Sequence, residues 1–336
     1  MKTKIHWGII GLGKIAHKFA QDLRHVPDAK LHAVASTDRE RANAFAEQYN
    51  APYAFGSYEA ILNCPHLDVV YIATPHVLHY SVAMMCLRRR IPVLCEKPLA
   101  MNAAEVQKMV KMAKTNYTFF MEAMWSQFVP AFRKSLELVQ SGIIGRPLSI
   151  KADFCAKFPY DLQGRAFNKE LGGGALLDIG IYPIMFALSV LGKPSKIHAM
   201  ATMGESGVDY ACAVNFQYDN GSLFMGHASM MHHSRVEASI YGEKGIIHIP
   251  TQFHHPKAVI LEREDGKVET FNMPYDGHGY QFEAAHVTKC LQTNQLESPV
   301  MTHQFSMDLI SLLDAVRAEI GLVYPKHLVT CAASNW

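Results

Sequence analysis

Three residues of this 336-residue chain have the types and positions that proton transfer requires. Lys97 follows a short apolar run at 91–95 and precedes a proline, so we expect it at the end of a buried strand. Asp178 and Tyr182 are four residues apart, so on a helix their side chains share one face. Simpler interpretations remain open: Lys97 ion-paired with Glu96 or solvated, Asp178 facing the helix dipole, and Tyr182 a packed aromatic residue.

The first elements of the chain predict a site for a dinucleotide. The apolar run Ile5–Ile10 indicates a buried parallel strand, and a helical pattern follows at 14–24. Ala16 stands where a small residue lets the helix pack on the strand. Glycines between them let the backbone approach a pyrophosphate, whose charge faces the unpaired N–H groups of the helix. The expected phosphate-binding residues are Gly11, Leu12, Gly13, Lys14 and Ile15.

The residues at the end of the second predicted strand, 30–36, indicate whether the protein prefers NAD or NADP. NAD-specific sites place an acidic residue there to accept hydrogen bonds from the adenosine ribose. This chain has Ser36 and Thr37 at that point, with Arg39 and Arg41 close behind. Hydroxyls and arginines suit a 2′-phosphate, so we expect NADP to be favoured over NAD. Asp38 is interpreted as the N-cap of the helix at 39–49.

Alternating strands and helices continue with strands at 68–73, 91–95 and 118–121, which predicts a doubly wound parallel sheet of the Rossmann type. Ligands of such sheets bind beyond the carboxyl ends of the strands. The tripeptides that follow two of these strands should therefore face the cofactor: Thr74, Pro75 and His76, and Glu96, Lys97 and Pro98.

The pattern changes after residue 122, where we expect a domain boundary between 1–122 and 123–336. Turns at Asn220-Gly221 and Asp265-Gly266 join alternating runs, which indicates a large, mainly antiparallel sheet. The predicted helices lie at 127–140, 176–191, 280–291 and 304–320, and the predicted strands at 148–154, 208–218, 221–231, 236–241, 258–264 and 268–272. The fold class is therefore α/β, with a C-terminal α+β domain.

Two of these strands carry apolar residues in a way that bears on assembly. In 208–218 the residues from Tyr210 to Tyr218 with even numbers share one face. In 221–231, Leu223 and Met225 face away from Phe224 and Ala228. A sheet that is apolar on both sides needs a cover on both sides. Helices cover one side, and we expect a second subunit on the other, as in a homodimer.

Composition narrows the class of protein. The chain is 49% hydrophobic and 18% charged with a formal net charge of +2, which gives no reason to expect nucleic acid or an anionic membrane as a partner. We expect neither a signal peptide nor an apolar run long enough to span a bilayer. Seven scattered cysteines without a C-x-x-C pair favour reduced thiols and a cytoplasmic location.

Four motifs, taken in order, resemble those of the Gfo/Idh/MocA oxidoreductases. They are Gly11-x-Gly13-x-x-Ala16, Ala73-Thr74-Pro75-x-x-x-His79, Glu96-Lys97-Pro98 and the segment with Asp178 and Tyr182. The family commonly has His at the Tyr182 position. Tyrosine there is similar to a subgroup of dimeric dihydrodiol dehydrogenases and NADP-dependent D-xylose 1-dehydrogenases, in which Arg often stands at the Thr37 position.

The resemblance implies an acid/base pair, Lys97 and Tyr182, beside a nicotinamide, with Asp178 positioning them. It adds Ala73 and His79 to the cofactor-binding residues, and hydride transfer at a hydroxyl carbon of a sugar or cyclic diol of the D-xylose or trans-dihydrodiol type. An ammonium beside Tyr182 should favour the phenolate, which can take the hydroxyl proton. Besides Asp178 and Tyr182, the expected substrate-binding residues are Trp125, Phe154 and Phe158.

Other functions were weighed against this one. His232-His233, His254-His255 and Glu283-x-x-His286 suggest a metal, but adjacent histidines on a strand point to opposite faces and a single Glu-x-x-His lacks its second copy. We therefore expect no catalytic metal. A non-catalytic NADP(H) sensor should have lost Lys97 and Tyr182, and both are present. A dehydrogenase or reductase of another sugar or polyol stays open.

We expect Lys97→Ala to abolish turnover while leaving cofactor binding largely intact, because the amine is assigned to proton transfer. Initial rates of nicotinamide reduction and a cofactor titration would check this. Activity near that of the unmodified protein would remove Lys97 from the mechanism.

Overall fold

The computed structural model describes residues 4–325. Its first half is a six-stranded parallel sheet in the order β3-β2-β1-β4-β5-β6. The strands are β1 (Ile5–Ile10), β2 (Ala29–Ala35), β3 (Tyr53–Phe55), β4 (Val69–Ile72), β5 (Val93–Glu96) and β6 (Phe120–Ala123). The helices between them are α1 (Lys14–Leu23), α2 (Arg39–Tyr49), α3 (His79–Arg88) and α4 (Ala103–Thr115). The order reverses at β1, so a crevice opens between the ends of β1 and β4, where dinucleotides bind in doubly wound sheets.

The second half is an eight-stranded sheet in the order β14-β13-β12-β11-β7-β10-β9-β8. Neighbouring strands are antiparallel except β7 and β10, which run parallel. The strands are β7 (Pro147–Cys155), β8 (Lys196–Met203), β9 (Asp209–Gln217), β10 (Leu223–Ser229), β11 (Ala238–Gly242), β12 (Gly245–Ile249), β13 (Ala258–Arg263) and β14 (Val268–Asn272). The helices are α5 (Pro130–Gln140), α6 (Ile181–Leu191), α7 (Tyr280–Gln292) and α8 (His303–Glu319).

These observations confirm the predicted fold class. Three strands escaped prediction: β3, β8 and β12. The first has only three residues, and β8 alternates weakly because most of its residues are Ala, His, Met or Lys, with only Ile197 and Thr202 β-branched. The predicted helix at 127–140 begins instead at Pro130, after a 3₁₀ turn at Trp125–Phe128.

The two faces of the large sheet differ as the sequence indicated. Phe216 on β9 and Phe224 on β10 are buried beneath the helices. On the opposite face, Met200, Leu223 and Met225 are 70%, 47% and 36% exposed. One face is therefore a core, and the other, called here the open face, presents apolar side chains to solvent.

The two halves are joined by more than the chain connection. Helix α7 packs on α1 and β1 of the parallel sheet. Asp22 in α1 accepts hydrogen bonds from the backbone N–H groups of His278 and Tyr280 at the start of α7, at 2.8 to 3.0 Å. The parallel sheet itself ends at Ala123, one residue past the predicted boundary. The C-terminal helices thus fix the position of the second half against the first.

We expected no apolar run long enough to span a bilayer. Judged by length and composition alone, this expectation was wrong. The segment Lys169–Leu191 is long and apolar enough to cross a bilayer, yet 83% of its most apolar window is buried inside the protein. This segment includes α6, which packs against β7 and β10, so its apolarity is that of a core helix.

Candidate active site

Lys97 and Asp178 meet at the carboxyl edge of the parallel sheet. Lys97 Nζ donates to the backbone carbonyl of Asp178 at 2.6 Å and lies 3.4 Å from its carboxylate Oδ1. The two side chains are 11% and 9% exposed. The contact joins the loop after β5 to the start of the helical segment of the second half. The alternative of a solvated Lys97 is excluded by this geometry.

A glycine turn brings Asp178 to this position. Gly173 runs so close to the preceding loop that a Cβ would lie 2.6 Å from the carbonyl oxygen of Ala166. Gly174 has φ of +119° and donates its N–H to that same carbonyl. The helix then starts as a π turn at Leu176–Gly180 before continuing as α6, so the predicted helix at 176–191 is not regular. Such wider turns occur often at functional sites, and this one contains Asp178.

A second cation, Arg165, reaches Asp178 from the loop after β7. Its guanidinium donates to Asp178 Oδ2 at 2.9 Å and lies 3.4 Å from Nε2 of His76. Burial by itself raises the pKa of Asp178, but Lys97 and Arg165 together hold it well below its usual range. The carboxylate is therefore charged at every working pH.

Glu96, the residue before Lys97, is held in place by two hydrogen bonds. Its carboxylate accepts hydrogen bonds from the phenol of Tyr71 and from the backbone N–H of Lys97. Burial raises the pKa of Glu96, while the Lys97 ammonium opposes the shift. Glu96 thus positions Lys97 and is itself buried, whereas its place at the end of β5 led us to expect it against the cofactor.

Tyr182 lies beside this pair but in a different electrostatic state from the one expected. Its phenol oxygen accepts a hydrogen bond from Trp125 Nε1 at 2.9 Å, and Lys97 Nζ lies 5.2 Å from the ring centroid. Burial raises the pKa of Tyr182 well above its usual range, reinforced by the nearby Glu96, and the Trp125 N–H opposes this. The expected lowering of the Tyr182 pKa is not seen, because burial dominates and the Lys97 ammonium is bonded to Asp178.

Aromatic rings form a wall next to Tyr182. Trp125 is stacked between Tyr280 and His255, at centroid distances of 4.5 and 5.3 Å. Phe154 lies 5.5 Å from the Tyr182 ring and stacks on His254 at 4.4 Å. The predicted pair Trp125 and Phe154 is therefore brought to the site. Phe158 lies further along the loop after β7, where its N–H donates to the carbonyl of Met230 and its ring is half-buried.

Arg165 and His254 were not singled out from the sequence as site residues. His254 is buried 5.0 Å from the Tyr182 ring, and among the described residues its Nδ1 has no hydrogen-bond partner. Burial lowers the pKa of His254 well below its usual value, so the ring is neutral. Both residues come from loops of the second half, where no motif or periodicity marks them. An unusual His-His pair was the one signal for His254.

The loop between β1 and α1 fits the phosphates of a dinucleotide. Gly11 has φ of +87°, and a Cβ there would lie 2.8 Å from the backbone of Ala73 and Thr74. A Cβ on Gly13 would meet nothing within 4 Å. No side chain of the described residues caps the N-terminus of α1, and its first turn, which includes Lys14 and Ile15, has no acidic residue. This open, uncapped end is the kind of backbone site that binds pyrophosphate.

The end of β2 is open for a ribose. Ser36 is buried, and its hydroxyl accepts from the N–H of Asp38 at 3.1 Å. Asp38 in turn accepts from the N–H of Arg41, so its interpretation as the N-cap of α2 is confirmed. Thr37, Arg39 and Arg41 are exposed beyond the strand. The acid that excludes a 2′-phosphate in NAD-specific sites is absent from this position.

The residues after β4 differ in whether their polar side-chain atoms have hydrogen-bond partners. Thr74 is buried with its hydroxyl unpartnered among residues 4–325, and His76 Nδ1 lies 3.2 Å from the carbonyl oxygen of Gly172. His79 is fully buried, with its ring nitrogens 2.8 and 2.9 Å from the carbonyl oxygens of Pro98 and Thr74. His79 was expected to bind the cofactor, but this geometry makes it a link between the two loops that flank the crevice.

Two models of known protein families match this chain, one in each half. Residues 5–123 match the oxidoreductase family with an NAD-binding Rossmann fold, and residues 132–248 match the Gfo/Idh/MocA C-terminal domain. The chain belongs to the Gfo/Idh/MocA oxidoreductase family. The resemblance seen in the four motifs is thereby confirmed.

Relatives and solved structures agree with this assignment. The trans-1,2-dihydrobenzene-1,2-diol dehydrogenase of Xenopus tropicalis is 37% identical over 337 residues, covering 97% of this chain and all of that protein. The Homo sapiens enzyme of the same name is 34% identical over 334 residues, covering 96% and 98%. A 3-ketoreductase from Actinomadura kijaniata, solved with NADP and TDP-benzene, is 26% identical with a TM-score of 0.85, covering 94% and 98%. The protein is an NAD(P)-dependent oxidoreductase, which excludes the non-catalytic sensor.

The two glycines of the first loop should respond differently to replacement. Gly11→Ala strains a positive φ and collides with fixed backbone, so we expect it to lower the free energy of unfolding by roughly 1–3 kcal/mol. Gly13→Ala meets open space, so the stability should change by less than about 1 kcal/mol. Its methyl group would instead enter the phosphate site and weaken cofactor binding. Urea unfolding and a cofactor titration separate the two effects. Equal stability losses would contradict this division.

Proposed function

We propose that the protein oxidises a secondary hydroxyl group of a trans-1,2-dihydrodiol, with NADP as the favoured hydride acceptor. The observation that carries the proposal is the aromatic wall of Trp125, Phe154 and His254 directly beside Tyr182. The half-buried ring of Phe154 is the exposed part of this wall, and an apolar ring suits the face of an unsaturated six-membered ring. The full-length relatives named trans-1,2-dihydrobenzene-1,2-diol dehydrogenase support the same substrate class.

In this proposal Tyr182 carries the substrate proton. The bound oxidised nicotinamide supplies the hydride acceptor. The hydroxyl proton of the substrate passes to the phenolate oxygen of Tyr182 as the carbon loses its hydride. Trp125 stabilises that phenolate by donating its N–H, and Lys97 adds a positive charge beside the ring. Asp178 is a positioning residue, since it holds Lys97 by two contacts.

Preference for NADP rests on the end of β2. The exposed Thr37, Arg39 and Arg41 offer hydroxyl and guanidinium groups, and the carboxylate of Asp38 is engaged as a helix cap. A 2′-phosphate would be drawn to the two cations.

A second candidate substrate is an aldopentose such as D-xylose. The polar corner opposite the aromatic wall favours it, because the charged Arg165 and the neutral His76 lie next to Asp178. Burial lowers the pKa of His76 well below its usual value, and its two ring nitrogens lie against the Gly172 carbonyl and Arg165. The Arg165 guanidinium can donate to substrate hydroxyl groups, and a sugar offers more of these than a dihydrodiol does.

We further propose a cytoplasmic homodimer. The open face of the large sheet, with Met200, Leu223 and Met225 exposed, supports a second subunit as its cover. The six described cysteines are free thiols, which agrees with a reducing compartment.

The raised pKa of Tyr182 predicts the pH dependence of the reaction. Oxidation needs the phenolate, so kcat/KM for oxidation should rise with pH through the alkaline range. Trp125→Phe removes the hydrogen bond that favours the phenolate, worth roughly 1.5–3 kcal/mol for a charged acceptor. The profile should then move to higher pH by roughly one to two units.

Tyr280→Phe is the matched control for this pH profile, because it keeps the ring that stacks on Trp125 and touches no atom of the Trp125–Tyr182 hydrogen bond. Its profile should stay where that of the unmodified protein lies. An unshifted profile in Trp125→Phe, or an equal shift in both variants, would remove Trp125 from this role.

Substrate choice is tested by initial rates with trans-1,2-dihydrobenzene-1,2-diol and with D-xylose, each with NADP and NAD in parallel. We expect the highest kcat/KM for the diol with NADP. A higher value for D-xylose would reverse the order of the two candidates. No turnover of either compound would refute both and leave another sugar or polyol as the substrate. A preference for NAD would contradict the interpretation of Ser36 and Thr37.

A further inference from the structure

A group of metal-binding side chains lies on the open face of the large sheet, away from the oxidoreductase site. Cys155 ends β7, His227 is on the neighbouring β10, and His232 follows that strand. One ligand atom from each lies within 4.8 Å of the other two. Within residues 4–325, this is the one set of three or more His, Cys, Asp and Glu side chains arranged so closely.

Strand register brings the first two together. In the parallel pair of β7 and β10, Ser229 lies opposite Cys155 and His227 lies opposite Asp153. Alternate residues of a strand share a face, so all four side chains are on the open face. The Cys155 sulfur is 3.4 Å from Nδ1 of His227.

Hydrogen bonds and a ring contact hold His232, the third residue of the group, in the turn after β10. Ser229 Oγ is 3.1 Å from Nδ1 of His232, and the His227 and His232 rings stack with centroids 5.6 Å apart. Ser234 closes the turn over Cys155, since its hydroxyl accepts from the Cys155 N–H and its own N–H donates to the Cys155 carbonyl. Cys155 is buried and His232 is exposed, which leaves one side of the group open to an incoming ion.

We propose that Cys155, His227 and His232 bind one Zn²⁺ ion. Zinc takes thiolate sulfur at about 2.3 Å and imidazole nitrogen at about 2.0–2.1 Å in tetrahedral geometry, which separates sulfur from nitrogen by roughly 3.5 Å. The observed distance of 3.4 Å between Cys155 and His227 matches that separation. Asp153 lies opposite His227 in the strand pair, and its buried Oδ2 has no hydrogen-bond partner among the described residues.

The role of this ion is structural. Phe154 and Cys155 are consecutive on β7, so their side chains lie on opposite faces of the sheet. Phe154 faces Tyr182, and the zinc ligands face away from it. The ion would hold the end of β7 to β10 and to the 230–235 turn, on the same face that is proposed to bind a second subunit.

The test uses untagged, full-length protein, treated with a chelator and kept reduced, and Zn²⁺ alone as the probe. Competition with a chromophoric chelator should give one tightly bound Zn²⁺ per chain. His232→Gln should weaken binding at least tenfold, and since His232 is exposed, this variant should remain folded. Cys155→Ser should also remove the thiolate-to-metal absorption of the Co²⁺-substituted protein.

His233→Gln is the matched control, because His233 is an exposed neighbour outside the group. It should bind Zn²⁺ as the unmodified protein does. Zn²⁺ should raise the Tm of the unmodified protein and of His233→Gln, but not that of His232→Gln. Absence of stoichiometric binding, or unchanged affinity in His232→Gln, would overturn the proposal. Because the readout is metal affinity, failure of the proposed substrate would leave this result unaffected.

Discussion

The contact between Lys97 and Asp178 is the interaction on which the site depends. It crosses from the loop after β5 to the first turn of the helical segment in the second half. Both side chains are about one-tenth exposed, so the Lys97 ammonium depends on Asp178, whose carboxylate is also paired with Arg165. Removing one member of such a buried pair typically costs about 3–5 kcal/mol. The contact that positions the Lys97 amine therefore also holds the two halves of the chain together at the active site.

Charge is distributed unevenly around that contact. Lys97 and Arg165 share the carboxylate of Asp178, so the corner has a net positive charge. Tyr182 instead has the acids Glu96 and Glu283 in its surroundings. Burial raises the pKa of Glu283 well above its usual value. Loss of solvent is thus the main reason that the phenol keeps its proton, and the Trp125 hydrogen bond is the specific force against it.

The features that could be predicted from the sequence are those set by neighbouring residues in the chain. The glycine loop, the apolar strands and the residues that follow β4 and β5 were predictable, because each depends on neighbours within a few positions. Lys97, Asp178 and Tyr182 were found this way, although their contacts join residues 81 or more positions apart. Arg165 and His254 were not, because loops of the second half bring them in and nothing in their own neighbourhood fixes where they point. The pKa of Tyr182 was mispredicted for a related reason, because its burial depends on residues distant in the chain, such as Trp125 and Phe154.

The histidine pairs also depend on contacts that are distant in the chain. The expectation that each pair lies on a strand with its rings facing apart was wrong: both pairs fall between strands, and the His254 and His255 rings are 4.4 Å apart. One histidine of each pair instead contacts residues of other elements: His254 meets Phe154 and Tyr182, while His232 meets His227 beside Cys155. Strand β7 links the two places, since Phe154 faces one and Cys155 the other. In the parallel sheet, chemistry is confined to strand ends, because both faces are covered by helices. The large sheet has an open face, so a single strand can contribute to a substrate wall on one side and to a separate site on the other.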